Sequence, residues 1–333
     1  MEQFYKDKPV AVTGGLGLIG SFLVTKLLEA EARVILVDDE SKGTWHFVPQ
    51  LRDRVDYRHG TLEDPDFAEA SLEGAEVVFH LASRAYGVGY SQGHHFEMFR
   101  FNDRINTNTL DAIAAHKPRQ VLLTSTSCVY SDDGPTPMPD SVPWSGEPER
   151  ANWGYGWAKR MLEMKADIYK RETSIPMTIV RPFNIYGEHY NWAGEYSQAI
   201  PMLVKRVLDG ENPCVMWGSG NQRRNYVHAE DCARIMMALV EKGFSDRPVN
   251  IGFEDTIAIR DLVALIAKAA GLDIVIEADR SKPEGRFIKS SDSKLLTAVL
   301  GSEFKRNVSL EDGMRRMVGW YQRVFAEAGV ASG

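Results

Sequence analysis

Short apolar runs rich in β-branched residues recur through the first half of the chain, at 10–13, 34–37, 55–59, 77–81, 121–124 and 178–181. Polar or glycine-containing stretches bound each run, and each run predicts a strand. Between most of them apolar residues return every three or four positions, which predicts amphipathic helices, clearest over 19–29 and 157–171. Near-continuous apolar strands separated by helices are the pattern of a parallel sheet covered on both faces. The expected fold class is therefore α/β, a doubly wound parallel sheet. The second half is more polar, with stretches at 186–197, 218–225 and 281–291 that read as loops. No internal repeat, low-complexity segment or Pro/Gly/Ser linker interrupts the chain, so a smaller α/β lobe is expected to pack onto the sheet. The expected division gives 1–182 and about 226–255 to the sheet domain, and 183–225 with 256–333 to the lobe.

Composition narrows the function classes. A chain of 333 residues, 44% hydrophobic and 26% charged, has enough apolar mass for a sizeable core. Its net charge of −7, without a basic run, argues against nucleic acid or anionic membrane as partners. No apolar stretch reaches the roughly 18 residues that a membrane helix needs. Residues 1–8 are charged and lead into a strand, unlike a signal peptide. Cys128, Cys214 and Cys232 are far apart, with no CxxC pair, so neither a disulfide framework nor a metal site is expected. A reducing cytoplasm is the expected location.

Chemistry enters at the end of the first run. There Thr13-Gly14-Gly15-Leu16-Gly17-Leu18-Ile19-Gly20 opens a helix. Gly14, Gly17 and Gly20 permit a tight turn, close approach of backbone N–H groups to a pyrophosphate, and close helix–strand contact. The spacing is G-x-x-G-x-x-G, and a strand before and a helix after supply the context of a Rossmann-type dinucleotide site. The second run ends at Asp38-Asp39, where an acidic side chain accepts from ribose hydroxyls and repels a 2′-phosphate, so NAD is expected over NADP. Further on, Tyr155-Gly156-Trp157-Ala158-Lys159 starts a helix and places tyrosine and lysine on one face. An ammonium beside a phenol lowers its pKa from about 10, which makes Tyr155 a candidate general base. The fifth strand runs into Thr124-Ser125-Thr126-Ser127-Cys128-Val129-Tyr130, with hydroxyls at the carboxyl end of a parallel strand, where such folds bind ligands.

In order along the chain stand TGGLGLIG (13–20), VFHLAS (78–83), TSTSCVY (124–130), YGWAK (155–159), RPFNIYG (181–187) and GNQRRNYVHAEDCA (220–233). As an ordered set they resemble the extended short-chain dehydrogenase/reductases, the family of NAD-dependent nucleotide-sugar epimerases and dehydratases. The resemblance implies cofactor contacts from Gly14, Gly17, Leu18, Ile19, Asp38, Asp39, Leu62, Leu81, Ala82, Tyr155, Lys159 and Pro182. It implies that Thr126 hydrogen-bonds the sugar oxygen, that Tyr155 accepts the proton and that Lys159 holds the nicotinamide ribose. Asn184 would meet the substrate phosphates, and Arg224 would clamp the diphosphate, which suits its planar fork. A nucleotide-sugar substrate and a homodimer follow from the same resemblance.

Within that family the chain is similar to the GDP-mannose 3,5-epimerases. The 85–92 loop with Gly87, the run from Asn184 through Trp192 to Ala199, and the PEG…SD segment at 282–292 carry this likeness. It implies substrate contacts from Gly87, Gln198, Arg206 and Arg286, and a catalytic role for Cys128. Cys128 lies two residues after Thr126, which on an extended strand points both side chains to one face. Two positions depart from the pattern. Gln198 stands where those enzymes carry a catalytic lysine, so any partner of Cys128 must come from elsewhere, His189 being one candidate. Thr61 stands where the family has an aspartate at the adenine. Cysteine is also a small, easily buried hydrophobe, and an inert Cys128 is the competing reading. Trp217 and Trp192 read as lobe core or loop anchors. The expected reaction is epimerisation through a transient keto sugar, with NAD regenerated. A simple 4-epimerase needs only Thr126, Tyr155 and Lys159. A 4,6-dehydratase generally has an acidic pair where Ser127 and Cys128 stand. A non-catalytic NAD-binding regulator has no need of the complete Tyr/Lys/Thr set.

Overall fold

The six apolar runs become strands of one parallel sheet in the computed structural model of the chain, which describes residues 2–140, 144–189, 198–281, 286–301 and 305–326. They are β1 (Pro9–Thr13), β2 (Arg33–Asp38), β3 (Asp56–His59), β4 (Val77–His80), β5 (Gln120–Thr124) and β6 (Met177–Pro182), each bounded within one residue of its expected position. A seventh, β7 (Val249–Ile251), pairs beyond β6, giving the order β7-β6-β5-β4-β1-β2-β3. Every pairing in this sheet is parallel.

Alternate side chains of the strands feed two separate cores, as the two-residue period of a strand requires. On one face Val10, Val12, Val34 and Leu36 pack with Phe22, Leu23 and Leu27 of α1 (Leu18–Glu29). On the other, Ala11, Ile35, Val37 and Leu123 pack with Ile105 and Ile113 of α2 (His95–His116) and with Leu162 and Ala166 of α3 (Trp153–Thr173). A third core takes its members chiefly from α4 (Ala199–Leu208), from Met216 and from two later helices. With α5 (Ala229–Glu241) packed on the first core, those two are α6 (Ile259–Ala270) and α7 (Leu310–Tyr321). Arg316 of α7 reaches Glu188 at 2.6 Å and Glu230 at 2.8 Å, tying this third core to α5. Two stretches expected as loops each contribute a short strand: Arg223–Arg224 pairs with Ile257–Ala258 and with Ile288–Lys289. Their partners are distant in sequence, so no local pattern announces them.

α3 starts at Trp153, a turn earlier than its apolar period suggests. Residues 155, 159 and 163 are four apart and share one stripe of that helix. At its lower end Glu163 takes a bidentate grip from Arg181 of β6, at 2.8 and 2.6 Å, with both side chains 4% exposed. Ser125 and Trp144 also donate to Glu163, and Arg181 donates to the Tyr130 hydroxyl. A buried carboxylate left without its cation is severely destabilising, whereas replacing both partners with apolar groups is far less so. Arg181→Met alone should therefore cost about 3–5 kcal/mol. The double change Arg181→Met with Glu163→Leu should recover much of that loss. Denaturant unfolding of both variants checks this; equal losses would mean that the pair does not act through its charge.

Candidate active site

Strand order reverses between β1 and β4, and a cavity of about 920 Å³ opens there, at the carboxyl ends of the parallel strands. The β1–β4 junction is fixed by the Thr13 hydroxyl, which lies 2.8 Å from His80 Nδ1 and accepts from the Ala82 N–H. Gly14 bends here with φ +70°, and a Cβ on it would stand 2.8 Å from the Ala82 nitrogen, so no side chain fits. A Cβ on Gly20 would press on the Gly14 carbonyl. Beyond the turn, α1 begins after Gly17 without a side-chain cap. Its first N–H groups are left to an anion, and the helix dipole favours one there. Gly14, Gly17, Leu18, Ile19, Leu62, Leu81, Ala82 and Pro182 all line the cavity.

Asp38 and Asp39 line it too. Asp38 accepts from the backbone N–H of Leu16 and of Glu40, both at 2.9 Å. Burial outweighs these bonds and raises its pKa to about 6. Asp39 accepts from Ser41. The set fits an adenosine ribose beside a pyrophosphate, with no basic side chain bonded to Asp38 among the described residues.

At the other end stand Thr126, Cys128 and Tyr155 on one wall. The Tyr155 hydroxyl lies 3.4 Å from Ser83 Oγ and within hydrogen-bonding reach of Thr126. Burial pushes the phenol well above its ordinary value, against the lowering that both hydroxyls exert. This overturns the expectation that Lys159 lowers the Tyr155 pKa. The Lys159 ammonium donates to the Thr124 carbonyl at 2.8 Å and lies 5.7 Å from the Tyr155 ring centroid. Fully buried, Lys159 is itself pushed down to about 7, so it carries less charge near neutrality than the sequence implied. It sits beneath the cavity wall rather than on it.

Residues 10–252 match the family described as the NAD dependent epimerase/dehydratase family. The chain belongs to that family. NAD is its cofactor. This epimerase/dehydratase is 27% identical over 320 residues to GDP-L-fucose synthase 1 of Arabidopsis thaliana, covering 95% of this chain and 94% of that one. It is 25% identical to GDP-mannose 3,5-epimerase 1 of Oryza sativa subsp. japonica, covering 96% and 83% respectively. The structure of UDP-glucose 4-epimerase from Thermotoga maritima with UDP-glucose superposes with a TM-score of 0.84 at 27% identity, covering 95% of this chain and 99% of that one.

Several expected site residues of this family member are placed differently from the sequence reading. Cys128 is not on an extended strand: the chain leaves β5 at Thr124, and Ser127–Val129 form one turn of 3-10 helix capped by the Thr126 hydroxyl, which accepts from the Cys128 N–H. Burial raises the thiol to about 12, helped by the Glu149 carboxylate and opposed by Lys289. Arg286 does not line the cavity; its guanidinium donates to the carbonyls of Ser131, Gly134 and Pro135 and pins that loop. His189 lies 3.2 Å from the Ser21 hydroxyl and stacks on Phe22, so its partners are on α1 rather than at Cys128. Trp217 is 55% exposed at the cavity, which rules out lobe core. Trp192, with the rest of 190–197, and 282–285 lie outside the described residues. Gly87, Thr61, Asn184, Gln198, Arg206 and Arg224 do line the cavity. Asn184 donates to the Asn225 carbonyl at 2.9 Å. Arg206 is committed to Glu211 and to the Val215 carbonyl. Arg224 bonds only backbone carbonyls among the described residues, leaving its charge without a carboxylate. Two cavity groups went unread in the sequence. Glu149 carries no local signal, and Lys289 is hidden inside the 281–291 stretch.

The raised pKa of Asp38 gives cofactor choice a pH dependence. Above about 6 the group is a carboxylate that accepts strongly from ribose and repels a 2′-phosphate; below it, the acid form is a weaker acceptor with no charge to repel the phosphate. The preference for NAD over NADP should thus be full above neutrality and narrow as pH falls through about 6. Asp38→Asn should abolish it at every pH. Fluorescence titration of both dinucleotides across that range checks this. A phosphate also titrates near pH 6, so a pH-dependent preference persisting in Asp38→Asn would assign the effect to the cofactor.

Proposed function

We propose that the protein is an NAD-dependent nucleotide-sugar epimerase that works through a transient keto sugar, in the manner of a GDP-mannose 3,5-epimerase. The observation that carries this reading is the thiol of Cys128 on the same cavity wall as Thr126 and Tyr155. When bound on the Gly14–Gly20 turn, NAD supplies the hydride acceptor and later the donor. Tyr155 takes the sugar hydroxyl proton, with Ser83 and Thr126 as hydroxyl partners that favour its phenolate. Thr126 orients the sugar oxygen, and Lys159, donating to the Thr124 carbonyl beneath the wall, positions the strand end from which Thr126 follows. The ketone so formed acidifies the neighbouring C–H bonds, and Cys128 exchanges a proton there. Arg224, which bonds only backbone carbonyls among the described residues, suits the substrate diphosphate, with Asn184, Gln198, Arg206 and Gly87 as further contacts. Relatives named for GDP-L-fucose and GDP-mannose favour a GDP-sugar. Residues 183–225 and 256–333 form the substrate lobe in this reading, and the protein works as a cytoplasmic homodimer.

A simple 4-epimerase is the second reading. It is favoured by the neutral, high-pKa thiol and by the likeness to the Thermotoga maritima enzyme. It needs Thr126, Tyr155 and Lys159 but no proton exchange at carbon.

Under either reading Tyr155→Phe should lower turnover by about 10²–10⁴-fold, the usual contribution of a general base, with NAD affinity unchanged. A near wild-type rate in that variant would make Tyr155 structural. Reaction in D₂O separates the two readings. Solvent deuterium at C3 or C5 that is lost in Cys128→Ala supports the proposal. Epimerised product without carbon-bound label favours the 4-epimerase.

A further inference from the structure

Resting on the epimerase reading, we propose that Lys289, held in place by Glu149, is the proton reservoir of Cys128, and that the thiol serves this site as a proton donor. Lys289 ends the short strand Ile288–Lys289, which lies beside Arg223–Arg224, and is only 5% exposed. Its ammonium stands 3.9 Å from Cys128 Sγ and donates to Glu149 Oε1 at 3.0 Å. Glu149 is fixed on both sides. Its backbone N–H donates to the Cys128 carbonyl at 3.1 Å, and Asn152 donates to its Oε2 at 2.9 Å. Its carboxylate is also within hydrogen-bonding reach of the thiol. All three side chains line the cavity that holds Tyr155 and Thr126.

The charged groups facing the thiol are therefore Glu149 and Lys289, with Tyr155 beside them; Arg224 acts on Lys289 from the neighbouring strand. Burial opposes the Lys289 ammonium, but the pull of Cys128 and Glu149 prevails and keeps it charged. Burial likewise opposes the Glu149 carboxylate, and Lys289 holds it ionised at about 2. The thiol, raised to about 12, is protonated near neutrality. A group so poised gives a proton to an enolate more readily than it removes one from carbon.

In the delivery step the Sγ–H proton passes to the enolate carbon, whose electron pair becomes the new C–H bond. The S–H pair stays on sulfur as thiolate, opposite the ammonium. Lys289 then hands one Nζ proton to sulfur, and its freed lone pair takes back from cavity water the proton that the C–H bond released to that water when the enolate formed, so no net proton is gained or lost. Lys289 fills the need left by Gln198, whose carboxamide neither gives nor takes a proton at useful pKa. Lys289 and Glu149 act through Cys128 and are positioning residues.

Two readouts test this in the full-length protein with NAD, using GDP-mannose and UDP-glucose as probes. The first is the pH profile of Cys128 alkylation by iodoacetamide, followed by mass spectrometry. Lys289→Met removes the charge that favours thiolate and should shift the profile upward, whereas Lys289→Arg keeps the charge and should leave it near wild type. The second is deuterium entry at ring carbon in D₂O. An arginine guanidinium does not give up its proton, so both variants should slow label entry by about tenfold or more. Wild-type label entry in Lys289→Arg would overturn the reservoir role, and an unmoved alkylation profile in Lys289→Met would overturn the contact itself. Lys289→Arg keeps the ion pair with Glu149 and carries the test if the Met variant fails to fold. If the wild type turns over either sugar without carbon-bound label, the epimerase reading falls and takes this inference with it. If it labels and the variants label equally, only this inference falls.

Discussion

The grip of Arg181 on Glu163 sets the geometry on which the cavity depends. Two charges removed from water must satisfy one another completely, and here Ser125, Tyr130 and Trp144 occupy most of the remaining hydrogen-bonding positions. The pair joins β6 to α3 at one fixed rotation of the helix. One turn up the same stripe, Lys159 donates to the Thr124 carbonyl at the end of β5. One turn further, Tyr155 emerges into the cavity beside Thr126. The stripe is thus a ladder: the lowest rung is bound by charge, the middle one by a backbone carbonyl, and the top one is left for chemistry.

Burial decides the electrostatics at both ends of the cavity. Desolvation penalises whichever form of a group is charged, so it raises Asp38 to about 6 and lowers Lys159 to about 7, bringing both toward neutrality. Groups poised there change charge in response to small perturbations, such as the arrival of a cofactor or substrate. Glu149 and Lys289 escape this trend because each compensates the other at 3.0 Å. The result is one soft, titratable group at each end of the cavity and one charged pair against the cysteine.

Much of this architecture was legible from pattern alone. The strands of a doubly covered sheet read as apolar runs because both faces are buried, and six of seven were visible for that reason. The seventh, Val249–Ile251, is three residues long and pairs with a strand some seventy positions earlier, so no local period marks it. The glycine turn and the acidic end of β2 were readable because backbone geometry restricts which residues fit there. The Tyr155 and Lys159 spacing was readable as well, since one helical turn is a local property.

What the sequence by itself determined is therefore whatever depends on neighbours along the chain: the α/β order, the dinucleotide turn and the shared stripe of α3. Tertiary structure decided what depends on neighbours across it. Arg286 has the charge of a substrate clamp, yet it folds back onto the carbonyls of Ser131, Gly134 and Pro135 and the Thr136 hydroxyl. Trp217 has the look of core and stands open at the cavity. Lys159 is a cation by type, yet complete burial weakens its charge. Lys289 meets Cys128 across 161 positions, through a two-residue strand that no periodicity reveals. Charge, burial and distance act through space, and a side chain's role is fixed only once the chain has folded around it.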